Sequence, residues 1–220
     1  MRYQRYGKIS STIYRWGIDP LLRPLRPRIA HLCLKHGMHI VLDIATATGA
    51  QCRALEAAGL HAVGLDLSEA MIAAARKRRA RNLEYVVGSA YELPFAEAAF
   101  DAALLILALH EHSEKERTRM LMEALRVIKH NGYLVLAEYS RPAKACIHIP
   151  WRIIQLIENL AGSEHRAGFH QFIATDGLRG LLRRHGLQPI EVVYSHFNTL
   201  TIAVVQSHHD VESSTQGAVA

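Results

Sequence analysis

Chemistry in this chain starts from the stretch Val41-Leu42-Asp43-Ile44-Ala45-Thr46-Ala47-Thr48-Gly49. Val41 to Ile44 read as a short buried strand, Ala45 to Gly49 as a tight loop of small residues, and Ala50 to Ala58 as a helix. A strand that turns through small residues into a helix leaves N–H groups unpaired at the helix start, and it lets a ligand approach the main chain closely. Asp43 adds an acceptor beside that loop. The pattern points to a nucleotide-type site rather than a plain turn. A second acid, Asp66, closes the next apolar run, and His110-Glu111-His112 follows a later one. The histidine spacing differs from H-E-x-x-H and Ser113 already starts a helix, so no metal is expected. Ser, Cys and His show no arrangement that suggests a covalent nucleophile.

The elements that must hold these residues alternate. His61 to Leu65 form a second strand, and Ser68 is an N-cap for the helix Glu69 to Ala80. Arg76-Lys77-Arg78-Arg79 complement the negative end of that helix and face water. Leu83 to Val87 are a third strand. Phe100 to Leu107 are a fourth, almost wholly apolar, as the centre of a parallel sheet requires. Ser113 with Glu116 makes a capping box for a helix closed by Asn131-Gly132, and Tyr133 to Tyr139 are the fifth strand. Thr175 starts another helix, ended by Gly186. Gln188 to Phe197 and Thr199 to Gln206 are two strands joined tightly at Asn198, hence antiparallel. The pattern is that of a doubly wound, mostly parallel α/β sheet with a terminal antiparallel strand. In such sheets ligands bind beyond the carboxyl ends of the strands. Asp43 to Gly49, Asp66, Ser89-Ala90, Leu107 to His110 and Glu138 to Ser140 are therefore expected to converge.

Composition bounds the rest. The 220 residues suit one domain with a full core, and half of them are hydrophobic. The longest apolar run, Ala102 to Leu109, is far below the roughly 20 residues a membrane-spanning helix needs. No signal-peptide pattern opens the chain, and Cys33, Cys52 and Cys146 have neither metal nor disulfide spacing, so a cytoplasmic protein with reduced thiols is expected. Seven basic residues (Arg2, Arg5, Lys8, Arg15, Arg23, Arg26, Arg28) stand against Asp19 alone in residues 1–28, which equals the whole net charge of +6. This arm also carries Tyr3, Tyr6, Ile9, Ile13, Tyr14 and Trp16. Residues 1–29 are thus a basic amphipathic arm, a candidate for peripheral membrane contact or for a lid over the first loop. Pro24 and Pro27 break or kink it, and a helix is expected from about Arg28 to His36. Residues 30–206 form the main domain. Residues 143–172 are an apolar and then histidine-bearing insert expected to act as a lid, and residues 207–220 are a polar tail expected to be disordered.

VLDIATATGA, VGLDLSEAMIAAARKR, YVVGSAYELPFAEAAFDAALL and ALRVIKHNGYLVLAEY resemble, in order and spacing, the class I S-adenosylmethionine-dependent methyltransferases. The resemblance covers about residues 38 to 140 and implies a seven-stranded Rossmann-like methyltransferase fold with S-adenosyl-L-methionine as cofactor. Carried over, Asp43, Ala45, Thr46 and Gly49 would line its methionine moiety. Asp66 would accept from both ribose hydroxyls, Leu67 and Met71 would lie against the adenine, Ser89 and Ala90 at its edge, and Leu107 in the cleft. Two departures stand out. The usual loop glycines are Ala45 and Ala47, which puts a methyl where the backbone approaches the cofactor, and Ser89 replaces the usual acidic or amide residue.

Within the family, GSEHRAGFHQFIATDGLRGLLRRHGL and the overall layout resemble the ubiquinone/menaquinone C-methyltransferases and the bacterial phosphatidylethanolamine N-methyltransferases. That implies a small, amphipathic or lipid-like acceptor and no nucleic acid. Two other readings stay open: an RNA or protein methyltransferase using the basic arm, and a non-catalytic interaction protein in which Ala47 has weakened cofactor binding. A sulfonium is already an excellent leaving group, so alignment supplies most of the catalysis, and a base is needed only for an acceptor that must lose a proton. His110, just beyond the fourth strand, is the best-placed candidate; Glu111, Tyr139, His165 and His170 are others near the cleft.

Overall fold

The computed structural model describes residues 22–78, 80–140, 163–196 and 198–207. The first helix, α1, spans Leu25–Lys35 and buries Leu25, Ile29, Leu32 and Cys33, a 3–4 spacing that lays one face on the sheet. The sequence reading began this helix at Arg28 and treated the prolines as breaks. Pro24 is instead the N-cap residue and Pro27 lies in the first turn. N–H groups there have no intrahelical partner, so proline removes nothing. Leu25 and Ile29 of the expected arm therefore belong to the core.

Seven strands and five more helices complete the described chain. They are β1 (Ile40–Ile44), α2 (Ala50–Ala57), β2 (His61–Asp66), α3 (Glu69–Ala75), β3 (Leu83–Val87), β4 (Phe100–Ile106), α4 (Glu114–Val127), β5 (Ile128–Tyr139), α5 (Ser163–Ala174), α6 (Gly177–Arg184), β6 (Pro189–Ser195) and β7 (Leu200–Gln206). The seven strands lie in the order β3-β2-β1-β4-β5-β7-β6. β1 to β5 are parallel, and β7 runs antiparallel to both β5 and β6. The doubly wound reading holds. The terminal antiparallel strand inserts between β5 and β6 rather than standing at the edge.

The sheet is buried on both faces. One core packs α1, α2 and α3 through Ile29, Cys33, Leu55 and Ile72 against Val41, Leu104 and Val135. The other packs α4, α5 and α6 through Leu121, Phe172 and Leu181 against Leu42, Leu105 and Leu136. Each side chain of this kind, fully withdrawn from water, contributes about 1.5–3 kcal/mol.

Three boundaries moved from the sequence reading. α3 ends at Ala75, and Arg76, its C-cap residue, stays exposed while its guanidinium also donates to the Tyr85 carbonyl (2.6 Å). Asn131-Gly132 do not close α4, because β5 begins at Ile128 and passes them in an irregular step. Phe100 pairs with Ile128, and Ala102 pairs with Tyr133. Thr175 does not start α6: its hydroxyl bonds the last carbonyls of α5, Gln171 and Phe172, and Asp176 is the α6 N-cap residue. Of the 143–172 insert, residues 163–172 fall in α5, with Phe169 and Phe172 fully buried. The rest of the insert, the arm before Leu22 and the tail after Ser207 lie outside the described residues.

Candidate active site

The sheet order reverses between β1 and β4, so the cleft expected of a doubly wound fold opens at their carboxyl ends. β1 delivers Asp43 there, 2% exposed, where it accepts from the Thr46 hydroxyl and lies 3.5 Å from the Cys52 Sγ of α2. Burial pushes the Asp43 carboxyl up to about 6. The hydrogen bonds from Thr46 and Cys52 oppose that rise, and the Asp66 charge adds to it. The same burial drives the Cys52 thiol well above its ordinary value and the Cys33 thiol to about 12, so neither is a thiolate nucleophile.

The loop from Ala45 to Gly49 makes its turn with three residues in the left-handed region: Ala45 (φ 60°), Ala47 (φ 50°) and Gly49 (φ 72°). This explains why the two alanine positions favour glycine: a Cβ is disfavoured at such φ. Gly49 has a second constraint, since a Cβ there would fall 2.5 Å from the Tyr85 hydroxyl oxygen. The loop is tied to β2 from two sides. Thr46 N–H donates to the Leu65 carbonyl (2.9 Å), and Ala47 N–H donates to Asp66 Oδ2 (2.8 Å). Asp66 Oδ1 takes the Ser68 N–H (2.9 Å), and burial raises the pKa of this carboxyl, against the pull of those two N–H groups. Each oxygen spends one acceptor site on the backbone and keeps another. Leu67, beside it, is 45% exposed, whereas Met71 is buried at 4%. Of the two residues expected against an adenine, Leu67 presents the surface.

Leu22, Leu25 and Arg26 line a small cleft together with Asp43, Ala45, Thr46, Thr48 and Gln51. Gln51 is 6% exposed. Its Nε2 donates to the Arg26 carbonyl, and its Oε1 has no hydrogen-bond partner among the described residues. A buried acceptor left unmet costs about 1–3 kcal/mol. Beside the Asp43 carboxyl, it marks a place that fits a cationic donor such as the ammonium of S-adenosylmethionine.

At the other edge, Ser89 is used locally: its hydroxyl accepts the Tyr91 N–H and its carbonyl the Glu92 N–H, and neighbouring Ala90 packs on the core. Leu107 leaves β4 at φ 51°, held by its N–H on the Ala137 carbonyl (2.8 Å), and its side chain meets Tyr139 and Phe169. His110 lies beyond it, 4% exposed, with Nδ1 3.0 Å from Glu138 Oε2. Burial lowers the pKa of nearby His112, whose Nδ1 is 2.9 Å from the Tyr91 hydroxyl. His165 and His170 belong to α5. Among the described residues no group of three or more His, Cys, Asp or Glu is placed to hold a metal ion, and no helix is long and apolar enough to cross a membrane.

Asp43, Thr46 and Gly49 are thus joined by hydrogen bonds, Ala47 ties their loop to Asp66, and Ala45 belongs to the same turn, with Leu67 at its rim. Three participants escaped sequence reasoning. Gln51 and Tyr85 carry no signal in their spacing, and Arg117 had none on a helix already rich in charge. Glu138 was expected at the cleft, as a charge inside the apolar strand Tyr133 to Tyr139, but not as the partner of His110.

Residues 42–136 match the methyltransferase domain family. This stretch, whose fold and loop have the form described above, belongs to the class I S-adenosylmethionine-dependent methyltransferases, and S-adenosylmethionine is the methyl donor that class implies. Two curated relatives carry the name demethylmenaquinone methyltransferase. That of Thermotoga maritima is 39% identical over 119 residues, 53% of this chain and 51% of the relative. That of Beutenbergia cavernae is 39% identical over 139 residues, 63% of this chain and 55% of the relative. The chain thus spans about half the length of the curated relatives it matches. Among solved structures, an O-methyltransferase family protein from Burkholderia thailandensis superposes with a TM-score of 0.69 at 16% identity, covering 94% of this chain and 64% of that one, a likeness of fold.

Proposed function

We propose that this protein transfers the methyl group of S-adenosylmethionine to a small, amphipathic acceptor of the quinone type. The observation that carries the reading is the unit formed by the 45–49 loop and Asp66 at the switch point, within a stretch that matches the methyltransferase domain family. The bound cofactor supplies an electrophilic methyl on a sulfonium; the chain binds and orients. Asp66 keeps acceptor sites for the ribose hydroxyls, Leu67 offers an apolar face to the adenine, and Asp43 with Gln51 receives the ammonium. Ser89 and Ala90 lie at the adenine edge. Leu22, Leu25 and Arg26 over the loop support a covering role for the N-terminal residues. The 143–172 insert, with α5 as its root, would close the acceptor side. The quinone-type acceptor is supported by the relatives named demethylmenaquinone methyltransferase.

The test is transfer of labelled methyl from S-adenosylmethionine, with the purified chain, to a short-chain demethylmenaquinol or to phosphatidylethanolamine vesicles. Label in the quinol alone supports the reading. Label in the phospholipid alone replaces the acceptor class, and label in neither removes it.

A further inference from the structure

Beyond β4 lies a buried polar unit that the cofactor half does not use. Glu138, on β5, is fully buried. Its Oε1 accepts the N–H groups of Leu109 (2.6 Å) and His110 (3.3 Å), and its Oε2 that of Tyr139 (3.3 Å) as well as His110 Nδ1 (3.0 Å). A carboxylate has no proton to give, so the last contact needs the proton on Nδ1. That leaves Nε2 as the basic nitrogen of the imidazole.

The unit is held rigid from behind. Arg117 of α4, itself fully buried, donates Nε to the Leu109 carbonyl (2.8 Å) and Nη2 to the carbonyls of His110 (3.2 Å) and Gly168 (2.9 Å). Its Nη1 pairs with Glu114 at 3.2 Å. Gly168 of α5 packs so closely that a Cβ would lie 2.6 Å from the Glu111 carbonyl oxygen. Tyr139 and Phe169 meet the His110 ring edge-on, at 4.9 and 6.1 Å between centroids. A partly satisfied buried network is costly, so one with this many matched donors and acceptors fixes a single geometry.

Place in the sheet gives the unit its role. The strand order β2-β1-β4-β5 places His110 and Glu138 across the switch point from Asp66 and the β1 loop, on the side where an acceptor would meet the methyl group of a cofactor held by them. We infer that Glu138 is a positioning residue that makes His110 the proton acceptor of the methyl transfer. The inference rests on the methyltransferase reading above. Nε2 of His110 takes the proton of the acceptor's reacting group while that group's electron pair forms the bond to the methyl carbon. The carbon–sulfur bond electrons stay on sulfur, which becomes a neutral thioether, and the imidazolium later returns its proton to water. Among the described residues, the charged and titratable groups near the ring include Glu138 and Tyr139 of β5, Arg117 of α4, and Glu111 and His112 of its own loop.

The experiment follows methyl transfer to 1,4-dihydroxynaphthalene between pH 5.5 and 9 for the full chain, His110→Asn, Glu138→Gln and Glu138→Asp. Calorimetric affinity for S-adenosylhomocysteine accompanies each variant as the measure of folding. For a general base, kcat falls about 100-fold or more in His110→Asn and Glu138→Gln at unchanged cofactor affinity. Glu138→Asp recovers part of that loss. The acidic limb of the profile moves to lower pH in Glu138→Gln, because the imidazolium loses its anion. Undiminished turnover in His110→Asn, an unmoved limb in Glu138→Gln, or no turnover of the naphthalenediol despite tight cofactor binding overturns the inference. Absence of cofactor binding in the unaltered chain would instead remove the methyltransferase reading on which it rests.

Discussion

The two halves of the cleft are built from different materials. Over β1 and β2 the donors are main-chain groups: Ala47 and Ser68 N–H groups on Asp66, the Thr46 N–H on Leu65, and a turn through three left-handed residues. Over β4 and β5 the contacts are made by side chains far apart in the chain, with Glu138 reaching back 28 positions to His110 and Arg117 forward 51 to Gly168. A backbone-built site can receive a ligand common to many proteins, because N–H groups do not depend on residue type beyond small size. A side-chain-built site can change with each acceptor.

Removing one group from each half should show this difference. The largest effect on binding is expected from Asp66→Ala, which deletes the acceptor proposed for both ribose hydroxyls. Affinity for S-adenosylhomocysteine should fall about 100-fold or more, roughly 2.7 kcal/mol, as expected for charge-assisted hydrogen bonds. Arg117→Met, in the other half, should leave the carbonyls of Leu109, His110 and Gly168 without their donor. It should cost about 1–3 kcal/mol of stability or more, read as a lowered denaturation midpoint, the loss expected when buried acceptors are left unsatisfied. An unchanged midpoint would mean that this half is not held by its side chains.

Asp43 sharpens the comparison through pH. Its folded pKa of about 6 lies above the ordinary 3.8, so the folded state binds the extra proton. The ionised carboxyl therefore costs stability. The cost is absent below about pH 4, grows between 4 and 6, and is complete above 6, where the shift corresponds to an order of 3 kcal/mol. Asp43→Asn should raise stability at pH 8 relative to the unaltered chain and bring little gain at pH 4, while weakening cofactor binding. Equal effects at both pH values would show that burial does not govern this carboxyl.

The smallest effect is expected from Ala47→Gly. Relief of the left-handed Cβ, worth about 1–2 kcal/mol, is largely offset by the added freedom of the unfolded chain, roughly 0.4–1 kcal/mol. A net gain below about 1 kcal/mol with unchanged or tighter cofactor binding is expected, and a loss would contradict the strain assigned to Ala47.

The same contrast governs what could be read from the sequence. The strands were legible because Val41 to Ile44 and Phe100 to Ile106 are short, mostly apolar runs, and the first loop because small residues follow the strand and precede a helix. Asp66 was legible from its place at the end of a strand. The start of β5 was hidden because α4 passes into it without a loop: Val127 and Ile128 are both buried, and an apolar pair cannot say which period it serves. The prolines misled because Pro24 and Pro27 break a helix interior yet suit its first turn, and the helix start is set by Leu22 and Leu25 packing on the core. His110 was visible as a candidate, but its partner was not. Pairing Glu138 with it requires knowing that β5 lies beside β4.

The central claim, that the β1–β2 half binds S-adenosylmethionine, is tested most directly by calorimetric titration of the full chain with S-adenosylmethionine and S-adenosylhomocysteine, with Asp66→Ala in parallel. The account predicts one-site binding to the unaltered chain, weakened about 100-fold or more by the substitution. Binding that survives the substitution unchanged would place the ligand elsewhere, and absence of binding to both ligands would contradict the account.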